Sequence, residues 1–366
     1  MKEVRRIAIN TGGGDAPGLN AVIRAAVLAS LERGWEVSGI ERGYGGLLAD
    51  EAGSLVPLTR ERVRGITHIG GSILGTANRG DPFRWPSEGP AGIVQRVDRS
   101  DEVMDGLARN GLDALIAIGG DGSLHIAREL AAKGLPVVGV PKTIDNDLGA
   151  TSVTFGFLTA VETATDAIDK LHSTAESHQR VMVVEVMGHD SGWIALYSGI
   201  AGTADVILIP EIPYDIGRVC GKIEERERRG RHFSIVCVAE GARPLGGEVV
   251  TKQVPAGHGE QTRLGGIGER VAREIANCTG KETRALALGH LQRGGRPNAQ
   301  DRLIALRFGC AAVRCVAAGE FGTMVALGPS GVRAVPLDEA LRERKTVPLD
   351  GDIVAAARAL GISLGD

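Results

Sequence analysis

At 366 residues, 43% of them hydrophobic, the chain is long enough for two domains, each with a sizeable core. Its 42 basic and 45 acidic residues leave a net charge of -3, and only 3% are aromatic, which argues against the basic, aromatic-lined surface of a nucleic-acid binder. The five cysteines (Cys220, Cys237, Cys278, Cys310, Cys315) are odd in number and lack CxxC spacing, so they read as reduced core residues of a cytoplasmic protein, not as a disulfide framework or a metal cage.

Val4 to Asn10 reads as a first strand, so no signal peptide is expected ahead of it. No apolar run reaches the roughly 18 residues of a membrane span. The 53 glycines fall singly or in pairs just after apolar strands, where ligand loops need them. Thr11 to Asn20 (TGGGDAPGLN) is such a turn, leading into a helix over Ala21 to Arg33; it suits an anion or a plain tight turn equally well. Gly39 to Leu48 carries Tyr44, which reads as a half-exposed loop aromatic. Thr67 to Pro82 repeats the pattern, with Arg79 as its fixed positive charge; the fork of an arginine matches phosphate oxygens, and a solvated loop arginine fits as well.

Leu112 to Asp147 reads as a complete strand, helix, strand unit. Leu112 to Ile118 is a strand, and Gly119 to Ser123 (GGDGS) is its loop. Leu124, Ile126, Ala127, Leu130 and Ala131 have helical spacing, closed by Lys133 and Gly134. Leu135 to Val140 is a second strand, ending in Pro141 to Asp147 (PKTIDND). Both loops leave the carboxyl ends of parallel neighbours, where open α/β sheets bind ligands. Asp121 is the sole charge among small residues and suits a Mg²⁺ ion. In an extended PKTIDND the carboxylates of Asp145 and Asp147 would share one side, and their repulsion would separate their pKa values, fitting one as a general base and the other as an orienting group. Thr143 adds a hydroxyl beside them.

The second half repeats the architecture. Strands are expected over Val181 to Val186, Asp205 to Pro210 and Phe233 to Ala239, followed by Met187 to Trp193 (MGHDSGW), Glu211 and Glu240 respectively. Asp215 to Arg229 is a charged amphipathic helix, and Thr283 to Leu288 leads into GHLQRGG, where His290 and Arg293 pair as an anion clamp or a surface turn. Arg180 opens a strand as a similar candidate. A long helix runs from Ala299 to Ala318 with Gly319 as its stop. After Gly322 a short strand, charged turns and a small helix carry no evident chemistry. No Ser/Pro-rich linker divides the halves, so the chain is expected to cross between them more than once.

GGDGS, PKTIDND, SHQR, MG and GHLQRGG, in that order, resemble the bacterial-type 6-phosphofructokinase family over nearly the whole chain. The resemblance implies an α/β protein of two Rossmann-like three-layer αβα domains with the active site in the cleft between them: residues 1–157 with 292–343 for the phosphoryl donor, and 158–291 with 344–366 for the sugar phosphate. It implies ATP and Mg²⁺, with Gly13, Tyr44, Arg79, Gly120, Asp121, Gly122 and Ser123 on the donor side and Asp121 serving the metal. Thr143, Asp145 and Asp147 would meet the 1-hydroxyl of fructose 6-phosphate, with Asp145 as base and Lys142 and Arg79 beside the reaction. Met187, Gly188, His189 and Glu240 would contact the sugar. His290 and Arg293 would hold its 6-phosphate, joined by Arg180 and Arg284 from a neighbouring subunit of a homo-oligomer, dimer or tetramer. The chain departs from the familiar ATP enzymes at Asn78 and His189, where they carry arginines. Gly122 goes with ATP in the family, whereas Lys142 is typical of the pyrophosphate enzymes; Gly122 is the weightier marker, because a carboxylate there would exclude a nucleotide. Pyrophosphate as donor, another ketose phosphate such as sedoheptulose 7-phosphate as acceptor, and a silent sugar-phosphate-binding subunit are the alternatives. No nucleic-acid or membrane partner is expected.

Overall fold

The computed structural model describes residues 4–48, 50–51, 53–77, 80–88, 94–255 and 260–366. In chain order the elements are β1 (Arg6–Thr11), α1 (Leu19–Leu31), β2 (Glu36–Ile40), β3 (Leu55–Pro57), β4 (Trp85–Glu88), β5 (Val94–Val97), α2 (Ser100–Arg109), β6 (Ala114–Gly119), α3 (Asp121–Ala132), β7 (Val137–Thr143) and β8 (Phe155–Gly156). They continue with α4 (Phe157–His178), β9 (Val181–Val186), α5 (Trp193–Ala201), β10 (Val206–Leu208), α6 (Ile216–Arg228), β11 (Ser234–Ala239), β12 (Thr251–Pro255), β13 (Glu260–Leu264), α7 (Ile267–Thr279) and β14 (Thr283–Ala287). The last are α8 (Ala299–Ala318), β15 (Thr323–Gly328), β16 (Gly331–Pro336), α9 (Leu337–Ala340) and α10 (Asp352–Ala359). The chain divides into two compact units: residues 1–143, 148–156 and 294–344 form the first, and 144–147, 157–293 and 345–366 the second.

In the first unit the sheet runs β16-β15-β7-β6-β1-β2-β3, with β8 beside β7. Its centre, β7-β6-β1-β2, is parallel. β1, β6 and β7 are buried almost throughout, which is why their sequences are continuous apolar runs without alternation. α1 and α8 pack side by side, and Gly309 permits their close approach, since a Cβ there would stand 2.6 Å from the Val22 carbonyl oxygen. Gly319 ends α8 at φ 72°, as the sequence leads one to expect.

The second unit has a parallel four-stranded sheet, β10-β11-β9-β14. Glu185, a buried acid in the middle of apolar β9, faces the start of α7, where its carboxylate accepts the backbone N–H of Gly266 (3.0 Å) and Gly268 (2.8 Å). The positive helix end and those two donors offset the cost of burying the charge. Asp215 caps α6 by accepting the Gly217 N–H at 2.8 Å.

Two expectations need correction. Cys220 of α6 and Cys278 of α7 are disulfide-bonded, with Cα atoms 6.5 Å apart, because the two helices lie against each other although 58 residues separate the cysteines. Cys237 and Cys315 are buried thiols, as expected, and Cys310 is half-buried. The stretch after Gly322 holds two strands, the antiparallel pair β15 and β16, instead of one. Among the described residues no helix is long and apolar enough to cross a membrane.

Candidate active site

In the first unit β7, β6 and β1 are neighbours, so their carboxyl ends bring PKT, GGDGS and TGGGD together. Glycine makes that convergence possible. A Cβ on Gly12 would lie 2.6 Å from the Ser123 Oγ, and one on Gly119 would collide with the Ser123 Cβ. Ser123 is thus wedged between the ends of β1 and β6. The break in GGDGS is shorter than the sequence suggests: α3 starts at Asp121, so Asp121, Gly122 and Ser123 form its first turn, and Gly120 is the N-cap. Backbone N–H groups of that turn form the anion-attracting end of a helix. Gly120 has the Lys142 carbonyl oxygen 3.2 Å from where its Cβ would be, whereas a Cβ on Gly122 would meet no neighbouring group within 4 Å outside its own helix turn.

Lys142 is 2% exposed, and its ammonium donates to the Gly14 carbonyl, tying β7 to the glycine turn after β1. Gly13 adopts φ 74°, a conformation glycine takes without strain, and its N–H donates to Ala77 at 3.1 Å. The Asp121 carboxylate lies 3.3 Å from an Arg344 guanidinium nitrogen and 3.5 Å from the His125 Nδ1. Arg344 stands in the stretch that reads as chemically silent; nothing short-range in the sequence links it to Asp121. Tyr44 is not the half-exposed aromatic expected: it is 5% exposed, part of the first unit's core, with its hydroxyl pushed up to about 12 by burial against an opposing hydrogen bond with Asn10. Arg79 and Asn78 lie outside the described residues.

β7 ends at Thr143, and the next four residues belong to the second unit. PKTIDND is not extended throughout, as one-sided carboxylates would require. Asn146 turns into the left-handed region at φ 54°, which breaks the strand alternation between Asp145 and Asp147. The Asp145 carbonyl accepts the Ser191 hydroxyl at 3.0 Å.

Sugar-side candidates gather at the carboxyl ends of β9, β11 and β14. Gly188 adopts φ 145°, and a Cβ there would stand 2.5 Å from the Ser191 carbonyl oxygen. The next residue, His189, is itself left-handed at φ 51°, and its backbone N–H donates to the Glu240 carboxylate at 3.0 Å. Burial raises the Glu240 pKa above the ordinary carboxylate value, with the Asp145 charge adding to the effect and hydrogen bonding from the His189 N–H opposing it. The imidazole of His189 is exposed and lies 2.8 Å from Asp190. His290 is exposed and Arg293 half-buried in the short turn Gly289–Gln292 and its cap, where the Arg293 N–H donates to the His290 carbonyl at 3.0 Å. Gln292 of the same motif, not singled out from the sequence, is fully buried and accepts the Met187 N–H at 2.8 Å, joining the GHLQRGG turn to the Met187–Gly188 turn.

The structure does not bring Arg180 and Arg284 into this cluster. Both guanidinium groups rest on Glu282, at 3.2 and 2.7 Å, at the opening ends of β9 and β14. At about 3.3 Å per strand residue, the three steps from Arg284 to the end of β14 at Ala287 set it roughly 10 Å back from the strand end that the His290 turn follows.

These strand-end clusters are those of a phosphoryl-transfer enzyme built on α/β sheets. A sequence model described as Phosphofructokinase matches residues 6–316, and the chain belongs to that family. It is 50% identical to the "ATP-dependent 6-phosphofructokinase" of Chloroflexus aurantiacus, over 99% of this chain and 98% of the relative. It is also 51% identical to the "Pyrophosphate--fructose 6-phosphate 1-phosphotransferase" of Amycolatopsis mediterranei, over 94% of this chain and 97% of the relative. Among solved structures, Pichia pastoris phosphofructokinase in the T-state matches with a TM-score of 0.79 at 31% identity; 99% of this chain is covered, but it spans only 37% of that longer chain.

Proposed function

We propose that the protein is an ATP-dependent 6-phosphofructokinase, transferring the γ-phosphoryl group of ATP to the 1-hydroxyl of fructose 6-phosphate to give fructose 1,6-bisphosphate in glycolysis, in the cytoplasm. One observation carries the choice of donor: position 122 at the start of α3 is a glycine whose Cβ position no neighbouring group crowds, so no carboxylate stands there to repel a nucleotide's phosphates. Gly13, Gly120, Gly122 and Ser123 bind the phosphates through backbone and hydroxyl groups. Lys142 supplies positive charge to the transferring group, a role the sequence also assigns to Arg79, and Tyr44, with little surface left, contributes mainly by packing beneath the nucleotide.

Magnesium fits at Asp121, a half-buried carboxylate in the first turn of α3. A hard divalent cation that keeps most of its waters needs only one or two protein carboxylates beside substrate phosphates. Bound there, the ion would neutralise phosphate charge.

On the acceptor side Asp145 takes the proton of the 1-hydroxyl as general base, with Thr143 and Asp147 beside it. Met187, Gly188, His189 and Glu240 hold the sugar, and His290 and Arg293 its 6-phosphate. The enzyme is a homo-oligomer, a dimer or tetramer, in which Arg180 and Arg284 of one chain serve the 6-phosphate bound to another. Their place at the far strand ends supports this, as do the exposed apolar Leu286 and Leu291, 40% and 69% accessible, on and beside edge strand β14.

A second reading, pyrophosphate as donor, is favoured by the buried Lys142 at the glycine turn. Initial rates with fructose 6-phosphate and Mg²⁺, supplied with ATP or with pyrophosphate, separate the two. Turnover with ATP is expected; turnover with pyrophosphate alone would reverse the assignment of the donor.

A further inference from the structure

The segment that re-enters the second unit at residue 345 reads as a charged turn, yet it is bound closely to the loop carrying Asp145 and Asp147. Lys345 ties that loop to the start of α5. Its backbone N–H donates to the Asp147 carbonyl at 2.9 Å, its ammonium donates to the Asn146 Oδ1 at 2.9 Å, and its carbonyl accepts the Trp193 indole N–H at 3.0 Å. The ammonium also lies 5.7 Å from the Trp193 ring centroid, within cation–π range. Two residues on, the Val347 N–H donates to Glu211 at 2.9 Å, and the same Glu211 oxygen accepts the Gly192 N–H at 3.0 Å, so the segment is pinned to the turn that begins α5.

Asn146 is the residue this anchorage explains. It sits between the two aspartates at φ 54°, where an L-residue other than glycine is uncommon, and its side chain is buried. The left-handed turn at Asn146 sets the direction in which the chain leaves Asp145 and enters Asp147. A fixed cation on the Asn146 side chain, together with a backbone bond to Asp147, holds that turn. Burial of the ammonium lowers the Lys345 pKa to about 8 against the pull of Asp147, so the charge is kept there at a cost to stability.

We infer that Lys345 is a positioning residue for phosphoryl transfer: acting through Asn146, it fixes the Asp145–Asp147 turn in the geometry the acceptor hydroxyl meets. The inference rests on the assignment of Asp145 as base. Misplacement of a catalytic group lowers turnover while leaving substrate binding largely intact.

The test is a double-variant cycle on the full chain, Lys345→Met, Asn146→Gly and the pair together, with Asp145→Asn as reference. Methionine keeps the stem and removes the charge; glycine keeps the left-handed φ and removes the amide. Lys345→Met should lower kcat about tenfold with KM for both substrates within about twofold, and shift Tm little, because removal of a costly buried charge offsets the hydrogen bond lost at Asn146. The paired variant should be no slower than the slower single one, since both lesions break one connection. Unchanged kcat in Lys345→Met while Asp145→Asn is silent would overturn the role of Lys345 alone. So would a kcat loss that multiplies in the pair, or one matched by a lowered Tm. Full turnover in Asp145→Asn would overturn the base assignment, and this inference with it.

Discussion

The two units place ligand loops at the same ends of parallel strands but build them from different material. In the first unit the loops after β1 and β6 owe their shape to missing side chains: Gly12 and Gly119 leave room for Ser123, and Gly122 leaves an open space. In the second unit the loops after β9, β11 and β14 are set by side chains that grip backbone, with Glu240 on the His189 N–H, Gln292 on the Met187 N–H and Ser191 on the Asp145 carbonyl. The contrast suits the ligands proposed for the two sets of loops. A phosphate chain is satisfied by amide hydrogens and open space, whereas a sugar hydroxyl that must lose a proton needs a placed carboxylate.

If that division of labour holds, the largest loss should come from the acceptor side at one carboxylate. Asp145→Ala is expected to lower kcat by roughly 10²- to 10⁴-fold, with the KM for fructose 6-phosphate much less affected. Steady-state kinetics decide it, and near-normal turnover would end the assignment of the base.

On the donor side the sharpest probe is addition of a side chain. Gly122→Asp has room to fold, because nothing occupies the space a Cβ would enter. Its carboxylate would face phosphate charge, and like charges brought together cost several kcal/mol, so kcat/KM for ATP should fall by about 10²-fold or more. The KM for the sugar should not move, since the variant touches only the first unit's loops, and pyrophosphate turnover should persist or appear. Undiminished use of ATP would show that the open space at Gly122 does not decide the donor.

Gly119→Ala tests the packing itself. The new methyl collides with Ser123, and overpacking of this kind typically costs 1–3 kcal/mol. We expect a lower Tm and ATP binding weakened about tenfold, with the Tm recovered in Gly119→Ala/Ser123→Gly, where the obstructing side chain is gone, and ATP binding still weakened because the Ser123 hydroxyl is gone too. Failure of the second substitution to raise the Tm would mean that Ser123 is not what limits the approach of the two strand ends.

Much of this frame was legible in the sequence because it depends on local pattern. Unbroken apolar runs marked β1, β6, β7 and β9, and Gly319 marked the end of α8. Features set by distant partners were not legible. Arg344 and Lys345 are ordinary cations in a charged turn until the fold brings them to Asp121, 223 residues away, and Asn146, 199 residues away. Cys220 and Cys278 meet because α6 and α7 pack together, and Tyr44 is buried because the core closes over its loop. The expected one-sided display of Asp145 and Asp147 failed for a conformational reason, the left-handed Asn146, which no alternation rule anticipates.

The smallest expected effect concerns Glu240, the acid that most clearly separates the second unit's chemistry from the glycine loops of the first. Burial raises its pKa in the folded protein above its value in the unfolded chain, with the Asp145 charge adding to the effect. The folded state therefore holds the proton more tightly. Its contribution is favourable at low pH and is lost as pH rises from the unfolded pKa, about 4.3, through the raised folded one. Glu240→Gln keeps an oxygen to accept the His189 N–H and removes the charge. The variant should melt slightly above the parent at pH 7 to 8, and the gap should close as pH approaches 4, where the parent's Glu240 is itself protonated. Thermal melts across that range give the comparison. A gap that is absent at neutral pH, or that widens on acidification, would mean that the Glu240 charge is compensated in place, and that the second unit's loops are no more costly to hold than the glycine turns of the first.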